Sequence, residues 1–127
     1  MNMKTFWTIF GIVMAVILIA AVVFSSKAGG LPGKYDEFAQ CLTDKGAKFY
    51  GAFWCPHCTD QKAMFGKSVS KLPYTECSNP DRTMNQTCVD LNIKTYPTWE
   101  FADGERMEGV KTLAELAEKT SCALPTE

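Results

Sequence analysis

An uncharged apolar stretch near the amino terminus constrains the fold more than any other feature of this sequence. Residues 6–24 read FWTIFGIVMAVILIAAVVF, nineteen residues without a charged side chain. At about 1.5 Å per residue, a helix of that length crosses roughly the hydrocarbon core of a bilayer. A cleaved signal peptide is the alternative, because Lys4 precedes the stretch and residues 26–28 include small side chains suited to cleavage. A signal core has only about 7 to 15 apolar residues, so the sequence favours an uncleaved transmembrane anchor in residues 1–27.

The rest of the chain has room for one domain. Residues 28–34 are rich in glycine and form the predicted flexible linker, and residues 35–127 form the predicted domain. All six cysteines lie in that domain, and an even number at this density is typical of disulfides in an oxidising compartment. We therefore expect a single-pass membrane protein with its domain on the periplasmic, extracellular or lumenal side. The 13 basic and 14 acidic residues form no basic stripe, so we expect no nucleic-acid partner.

Hydrophobic periodicity and turn residues divide the domain into eight elements. They are predicted helices at 35–45, from 55 to the residue before Pro73, at 84–92 and after Thr112, and predicted strands at 47–53, 74–77, 98–102 and 105–110. This order predicts an α/β domain in which a mixed sheet is covered by helices on both faces.

Local patterns add detail to three of these elements. The second helix is expected to bury one face, carrying Cys58, Phe65, Val69 and Leu72. Gly66 marks a candidate bend in it. Asp103-Gly104 favours a two-residue hairpin turn between the last two strands. Thr112 and Glu115 have the spacing of a capping box, which predicts the start of the last helix.

The sequence Cys55-Pro56-His57-Cys58 begins the second helix directly after a strand. Unpaired N–H groups at a helix start stabilise a thiolate, so Cys55 is the predicted exposed nucleophile, and Pro56 suits the first helical position. Cys58, one turn further on, is the predicted resolving thiol. A protonated His57 would lower the pKa of Cys55, which stabilises the reduced form and makes the disulfide a stronger oxidant. A cysteine pair placed in this way is the thioredoxin arrangement, which makes the thioredoxin fold the prediction.

Three other interpretations of this motif are less favoured. A zinc site needs four ligands, but Cys77 and Cys88 are separated by ten residues and the chain has no second histidine, so we predict neither a metal nor another cofactor. A purely structural Cys55–Cys58 disulfide would close too small a loop to stabilise much. His57 could also be an incidental polar surface residue.

Pro97 begins a predicted strand in the sequence Thr95-Tyr96-Pro97-Thr98. A trans proline at a strand start is the ordinary alternative. In a thioredoxin fold this loop lies against the cysteine pair with a cis bond before the proline, and it exposes the preceding backbone to an extended substrate. The candidate substrate-binding residues are therefore Trp54, Tyr96 and Pro97.

The remaining four cysteines suggest two structural disulfides. Cys77 and Cys88 flank a turn-rich loop, which a disulfide would staple, although a second redox pair feeding Cys55 and Cys58 is the alternative. A bond between Cys41 and Cys122 would join the first and last helices of the domain, with free buried thiols as the alternative. Six cysteines allow 15 pairings, so the sequence leaves the connectivity open.

Four segments carry a resemblance to a known family: GAKFYGAFWCPHCTDQKAMFGKS, LPYTECS, YPTWEF and LAELAEKT. They resemble the thioredoxin-like domain fused to bacterial and plant vitamin K epoxide reductase homologues, over most of residues 38–122. The resemblance implies a membrane-tethered protein that introduces disulfides into exported proteins and is reoxidised by a quinone-linked membrane enzyme. It also implies that Cys55 and Cys58 are the active pair, that Pro97 is the cis-proline, and that Cys77 and Cys88 match a second cysteine pair.

Two departures from related proteins refine this expectation. One apolar helix cannot build the four-helix quinone-reducing domain, so reoxidation is expected from a separate vitamin K epoxide reductase-like or other quinone-linked oxidase. Thioredoxins proper carry an acid six residues before the first active cysteine, where this chain has Phe49. The predicted function is a membrane-anchored thiol-disulfide oxidoreductase that acts as an oxidase. A reductase or isomerase is the first alternative, and a non-catalytic polypeptide-binding or metallochaperone module is the second.

Overall fold

The amino-terminal part of the chain is one long helix. The computed structural model describes residues 2–25 and 31–126, and the chain divides into two units, Met1–Leu31 and Pro32–Glu127. Helix α1, Met3–Ser25, is long and apolar enough to cross a membrane by length and composition. The cleavage alternative at 26–28 and residues 28–30 of the predicted linker lie outside the described residues.

Over residues 32–126, the described part of the second unit, the chain forms four helices, four strands and one 3-10 helix. In chain order these are α2 Asp36–Asp44, β1 Lys48–Gly51, α3 Pro56–Ala63, the 3-10 helix Gly66–Lys71, β2 Tyr74–Glu76, α4 Gln86–Asp90, β3 Thr98–Glu100, β4 Arg106–Glu108 and α5 Leu113–Thr120. Each predicted strand and helix is present, with most of them shortened at their ends.

The four strands form one mixed sheet in the order β2-β1-β3-β4. Strand β1 pairs in parallel with β2 and antiparallel with β3, and β3 pairs antiparallel with β4. A parallel pair needs a crossover connection, which α3 and the 3-10 helix provide between β1 and β2. This is the predicted thioredoxin fold, and it brings the start of α3 to the end of the central strand.

Side chains cover both faces of the sheet, as successive residues of β1 show. Phe49 and Tyr50 are both buried but belong to different apolar clusters, because neighbouring side chains in a strand point to opposite faces. The larger cluster includes Phe38 and Leu42 of α2, Phe65, Trp99 and Leu116. The smaller one contains Tyr50, Cys77, Cys88 and Ile93.

The second helix of the domain differs from its prediction. It ends at Ala63, Gly66 follows with φ +52°, and a 3-10 helix then begins. Three residues per turn instead of 3.6 change which side chains face inward. Val69, predicted to be buried, is 39% exposed, whereas Ser68 is buried and accepts a hydrogen bond from the Tyr35 N–H at 3.0 Å.

The connection between β3 and β4 also differs from its prediction. Gly104 N–H donates to the Phe101 carbonyl (2.8 Å) and Phe101 N–H donates to the Glu105 carbonyl (3.0 Å). Of the Asp103-Gly104 pair, only Gly104 has a positive φ, +82°, whereas a two-residue turn of the predicted type needs it at both positions. The turn is therefore a three-residue connection closed by Gly104.

Candidate active site

The cysteine pair begins helix α3. Cys55 is the N-cap residue, with an extended backbone, and Pro56 occupies the first helical position, as predicted. Cys55 and Cys58 are free thiols with exposed fractions of 6% and 1%. The prediction of an exposed Cys55 is therefore wrong in degree. Its sulfur lies against the loop before β3, with the Tyr96 carbonyl accepting at 3.8 Å, and this contact limits its access to solvent.

The proline loop meets the cysteine pair directly. The Tyr96–Pro97 peptide bond is cis, and Pro97 is buried. Trp54 and Tyr96 pack edge to face, with ring centroids 6.1 Å apart, and Trp54 is 40% exposed. The fold thus brings the three candidate substrate-binding residues together beside Cys55, with an apolar ring accessible to a partner.

Cys58 lies deeper than Cys55, under the end of β1. Burial raises the pKa of the Cys58 thiol to about 12, and a hydrogen bond with Cys55 acts in the same direction. A hydrogen bond from the Ala52 backbone and the charge of Lys62 oppose this shift in the pKa. Cys58 therefore holds its proton at neutral pH, as expected of the buried member of an exchanging pair.

Gly51 makes this position of Cys58 possible. A Cβ atom at residue 51 would lie 2.9 Å from the Cys58 sulfur and 2.9 Å from Cε2 of Tyr74. Real Cβ atoms do not approach other atoms so closely, so only glycine fits here. In the sequence this glycine indicates only a break in an aromatic-rich strand, and nothing there reveals its role beside Cys58.

His57 lies on the solvent side of α3. Its side chain is 73% exposed, and its Nδ1 lies 4.0 Å from a carboxylate oxygen of Asp60, one turn along the helix. The two side chains form an ion pair only when the imidazole is protonated. The predicted influence of His57 on Cys55 remains a prediction.

Glu76 and Ser78 hold the segment that leads into the cysteine pair. The Glu76 carboxylate accepts hydrogen bonds from the N–H groups of Phe53 (3.1 Å) and Ser78 (2.9 Å) and from the Tyr74 hydroxyl (2.7 Å). The Trp54 indole N–H donates to the Ser78 hydroxyl at 2.8 Å. Glu76 and Ser78 are not among the site residues predicted from the sequence. The one signal that could have pointed to Glu76 is an acidic residue in a strand otherwise suited to burial.

Gln61 joins α3 to strand β3 and to the loop before α5. Its side chain is fully buried and accepts from the Trp99 indole N–H (3.2 Å) and the Lys111 N–H (2.7 Å), while it donates to the Lys111 carbonyl (3.0 Å). Trp99 also stacks on Phe49, with centroids 4.8 Å apart. An aromatic stack thus occupies the position where thioredoxins proper carry their buried acid.

The other four cysteines form two disulfides. Cys41 is bonded to Cys122 and Cys77 to Cys88, which are the two pairs suggested by the sequence. Cys77 N–H also donates to the Gly51 carbonyl at 2.8 Å, so the second disulfide adjoins the strand that leads to the active cysteines. Within 2–25 and 31–126, no cluster of three or more His, Cys, Asp or Glu side chains is arranged to hold a metal ion.

Comparison with known proteins identifies a named relative of part of the chain. No protein-family model matches the chain. An alignment of 92 residues, which covers 68% of the chain, is 46% identical to the protein named thiol-disulfide oxidoreductase LTO1 of Arabidopsis thaliana. The alignment covers 24% of the plant protein, so the chain spans about a quarter of that protein's length. Over two thirds of its length, the chain is therefore similar to a segment of a plant thiol-disulfide oxidoreductase.

Proposed function

We propose that the protein is a thiol-disulfide oxidoreductase that oxidises exported proteins. The observation that carries this proposal is the pair of free thiols at the start of α3, with Cys55 against the carbonyl of Tyr96. The similarity to a protein named as a thiol-disulfide oxidoreductase supports the same reaction class. Cys55 is the proposed nucleophile, Cys58 the resolving thiol and His57 the residue that tunes them.

The proposed reaction exchanges one disulfide for another. A substrate thiolate attacks the Cys55 sulfur of the oxidised pair, the Cys55–Cys58 bond breaks, and Cys58 leaves as a thiolate that takes up a proton. A second substrate thiolate then attacks the substrate sulfur of the mixed disulfide, and Cys55 leaves as a thiolate. The substrate loses two electrons and gains a disulfide, and the pair is reduced. The helix start stabilises the departing Cys55 thiolate.

The cellular setting is part of the proposal. Residues 1–27 anchor the protein in a membrane, 28–34 form a linker, and 35–127 act on the periplasmic, extracellular or lumenal side. The apolar character of α1 and the two disulfides outside the active pair support this setting. A separate quinone-linked membrane enzyme, of the vitamin K epoxide reductase-like kind, reoxidises the pair.

An activity assay on the full chain in detergent tests the reaction class. Wild type should reoxidise reduced ribonuclease or reduce insulin, and Cys55→Ala should lose both activities. Cys58→Ala keeps the nucleophile and should accumulate a mixed disulfide, which non-reducing electrophoresis detects. Equal activity of wild type and Cys55→Ala in both assays would favour a non-catalytic binding module.

A redox titration against glutathione tests the direction of the reaction. An oxidase should have a potential well above the value of about −270 mV that is typical of thioredoxin, and closer to the value of about −120 mV for DsbA. His57→Ala should lower the potential, because the variant lacks the imidazole that, when protonated, would stabilise the reduced form. A wild-type potential near that of thioredoxin would favour a reductase using the same residues.

A further inference from the structure

Lys62 lies one helical turn after Cys58 in α3. Residues four apart in a helix share a face, so the two side chains leave the helix on the same side. The Lys62 ammonium nitrogen lies 3.4 Å from the centroid of the Tyr74 ring, within the range of a cation–π interaction. Lys62 is half-buried. Its charge is therefore held at one place on the protein.

Tyr74 is itself fixed by its neighbours. Its hydroxyl donates to Glu76 at 2.7 Å, and its ring packs edge to face on Phe49, with centroids 5.1 Å apart. Two backbone N–H groups in turn hold the Glu76 carboxylate. The ring edge of Tyr74 and the sulfur of Cys58 both border the small space above Gly51. The Tyr74 ring, over which the Lys62 ammonium lies, is therefore next to the buried sulfur of Cys58.

Among the residues that the structure describes, the other ionisable groups near Cys58 do not supply a positive charge there. Cys55 forms a hydrogen bond with Cys58 that raises the pKa of the Cys58 thiol and so favours its protonated form. Tyr74 and Tyr96 have pKa values raised chiefly by burial, so both hydroxyls are neutral. Glu76 is an acidic residue and cannot supply a positive charge. His57 is exposed and faces Asp60.

We propose that Lys62, held over the ring of Tyr74, supplies the positive charge that stabilises the Cys58 sulfur as an anion during thiol-disulfide exchange. This inference deepens the proposed function and rests on it. When a substrate thiolate attacks Cys55, the Cys55–Cys58 bond breaks and its electron pair goes to Cys58. In the reverse step the Cys58 thiolate, its proton released to water, attacks Cys55 of the mixed disulfide and the substrate leaves as a thiolate. Lys62 acts through Cys58 in both directions and is a positioning residue.

The reaction of the reduced full chain with Ellman's disulfide separates the two cysteines. Attack by Cys55 releases a first thionitrobenzoate, and attack by Cys58 on the resulting mixed disulfide releases a second, so stopped-flow absorbance gives one rate for each step. Lys62→Met should raise the pKa of Cys58 by on the order of one unit, which leaves roughly a tenth of the thiolate. The remaining thiolate is roughly threefold more nucleophilic, so the second step should slow about threefold between pH 6 and 9.

Two matched variants control for other effects of the substitution. Lys62→Arg keeps the charge and should keep the second rate, whereas Lys67→Met removes a charge from the neighbouring 3-10 helix and should leave both rates unchanged. A wild-type second rate in Lys62→Met would overturn the proposal, as would equal slowing in Lys62→Arg or in Lys67→Met. This assay uses no biological substrate, so it does not test the proposed function. The ribonuclease and insulin assays test that function separately.

Discussion

Gly51 shows how one residue determines the geometry of the candidate site. Gly51→Ala would place a methyl group 2.9 Å from both the Cys58 sulfur and the Tyr74 ring, so one of them must move. We expect a loss of about 1 to 3 kcal/mol in the free energy of unfolding, the usual range for overpacking, measured by urea denaturation of the reduced protein. The same substitution should cost less in a Cys58→Ala background, where one of the two clashing atoms is absent. An equal cost in both backgrounds would show that Cys58 does not determine the fit.

Gln61 is a buried polar residue whose hydrogen bonds are all made within the domain. Gln61→Leu replaces the amide with an apolar side chain of similar size and leaves the Trp99 indole and both backbone groups of Lys111 without their partner. Since an unpaired buried group costs about 1 to 3 kcal/mol, the free energy of unfolding should fall by roughly 3 kcal/mol. Gln40→Leu, at an exposed position of α2, should change it by less than about 0.5 kcal/mol. Similar values for the two variants would contradict this role.

At the scale of helices, strands and turns, the sequence predicts the features that depend only on residues close together in the chain. The capping box and the proline after Cys55 are local patterns, and the structure contains them. The 3-10 helix is different, because the inward position of Ser68 depends on Tyr35, which is 33 residues away. The three-residue turn at Gly104 likewise depends on the pairing of two strands. Such features depend on tertiary contacts that periodicity does not contain.

Helix α5 offers a test of the local patterns. The Thr112 hydroxyl accepts from the Glu115 N–H at 3.1 Å, and the Glu115 carboxylate accepts from the Thr112 N–H at 2.7 Å. Thr112→Ala removes the first bond and should cost about 1 kcal/mol, or roughly 4 to 8 °C in the melting temperature of a domain of this size, followed by circular dichroism. Thr112→Ser keeps the hydroxyl and should behave as wild type. A melting temperature unchanged in Thr112→Ala would mean that the cap does not limit stability.

At the scale of the whole molecule, the candidate site joins distant parts of the chain. The cysteine pair and its proline could be predicted, since each stands in a recognisable short motif. Lys62, Glu76 and Gln61 could not, because their roles arise only when β2, β3 and the loop before α5 pack around α3. The short motifs therefore point to the proposed reacting atoms, whereas the groups that hold those atoms emerge only from the packing.

The two disulfides differ in how much of the molecule they constrain. Cys41–Cys122 joins residues 81 positions apart, from α2 to the segment after α5, whereas Cys77–Cys88 spans 11. In the chain-entropy description, a longer closed loop removes more freedom from the unfolded chain, which gives roughly 4.5 kcal/mol for the first bond and about 3 kcal/mol for the second.

Replacing each pair by alanines, with Cys55 and Cys58 intact, should therefore destabilise the domain more for Cys41 and Cys122. Urea denaturation of the two double variants, each oxidised at the active pair, measures the difference. A larger loss for Cys77 and Cys88 would show that this bond acts mainly in the folded state. Its position beside Gly51 and Ser78 would then make it a support of the active cysteines, since those residues adjoin Cys58 and Trp54.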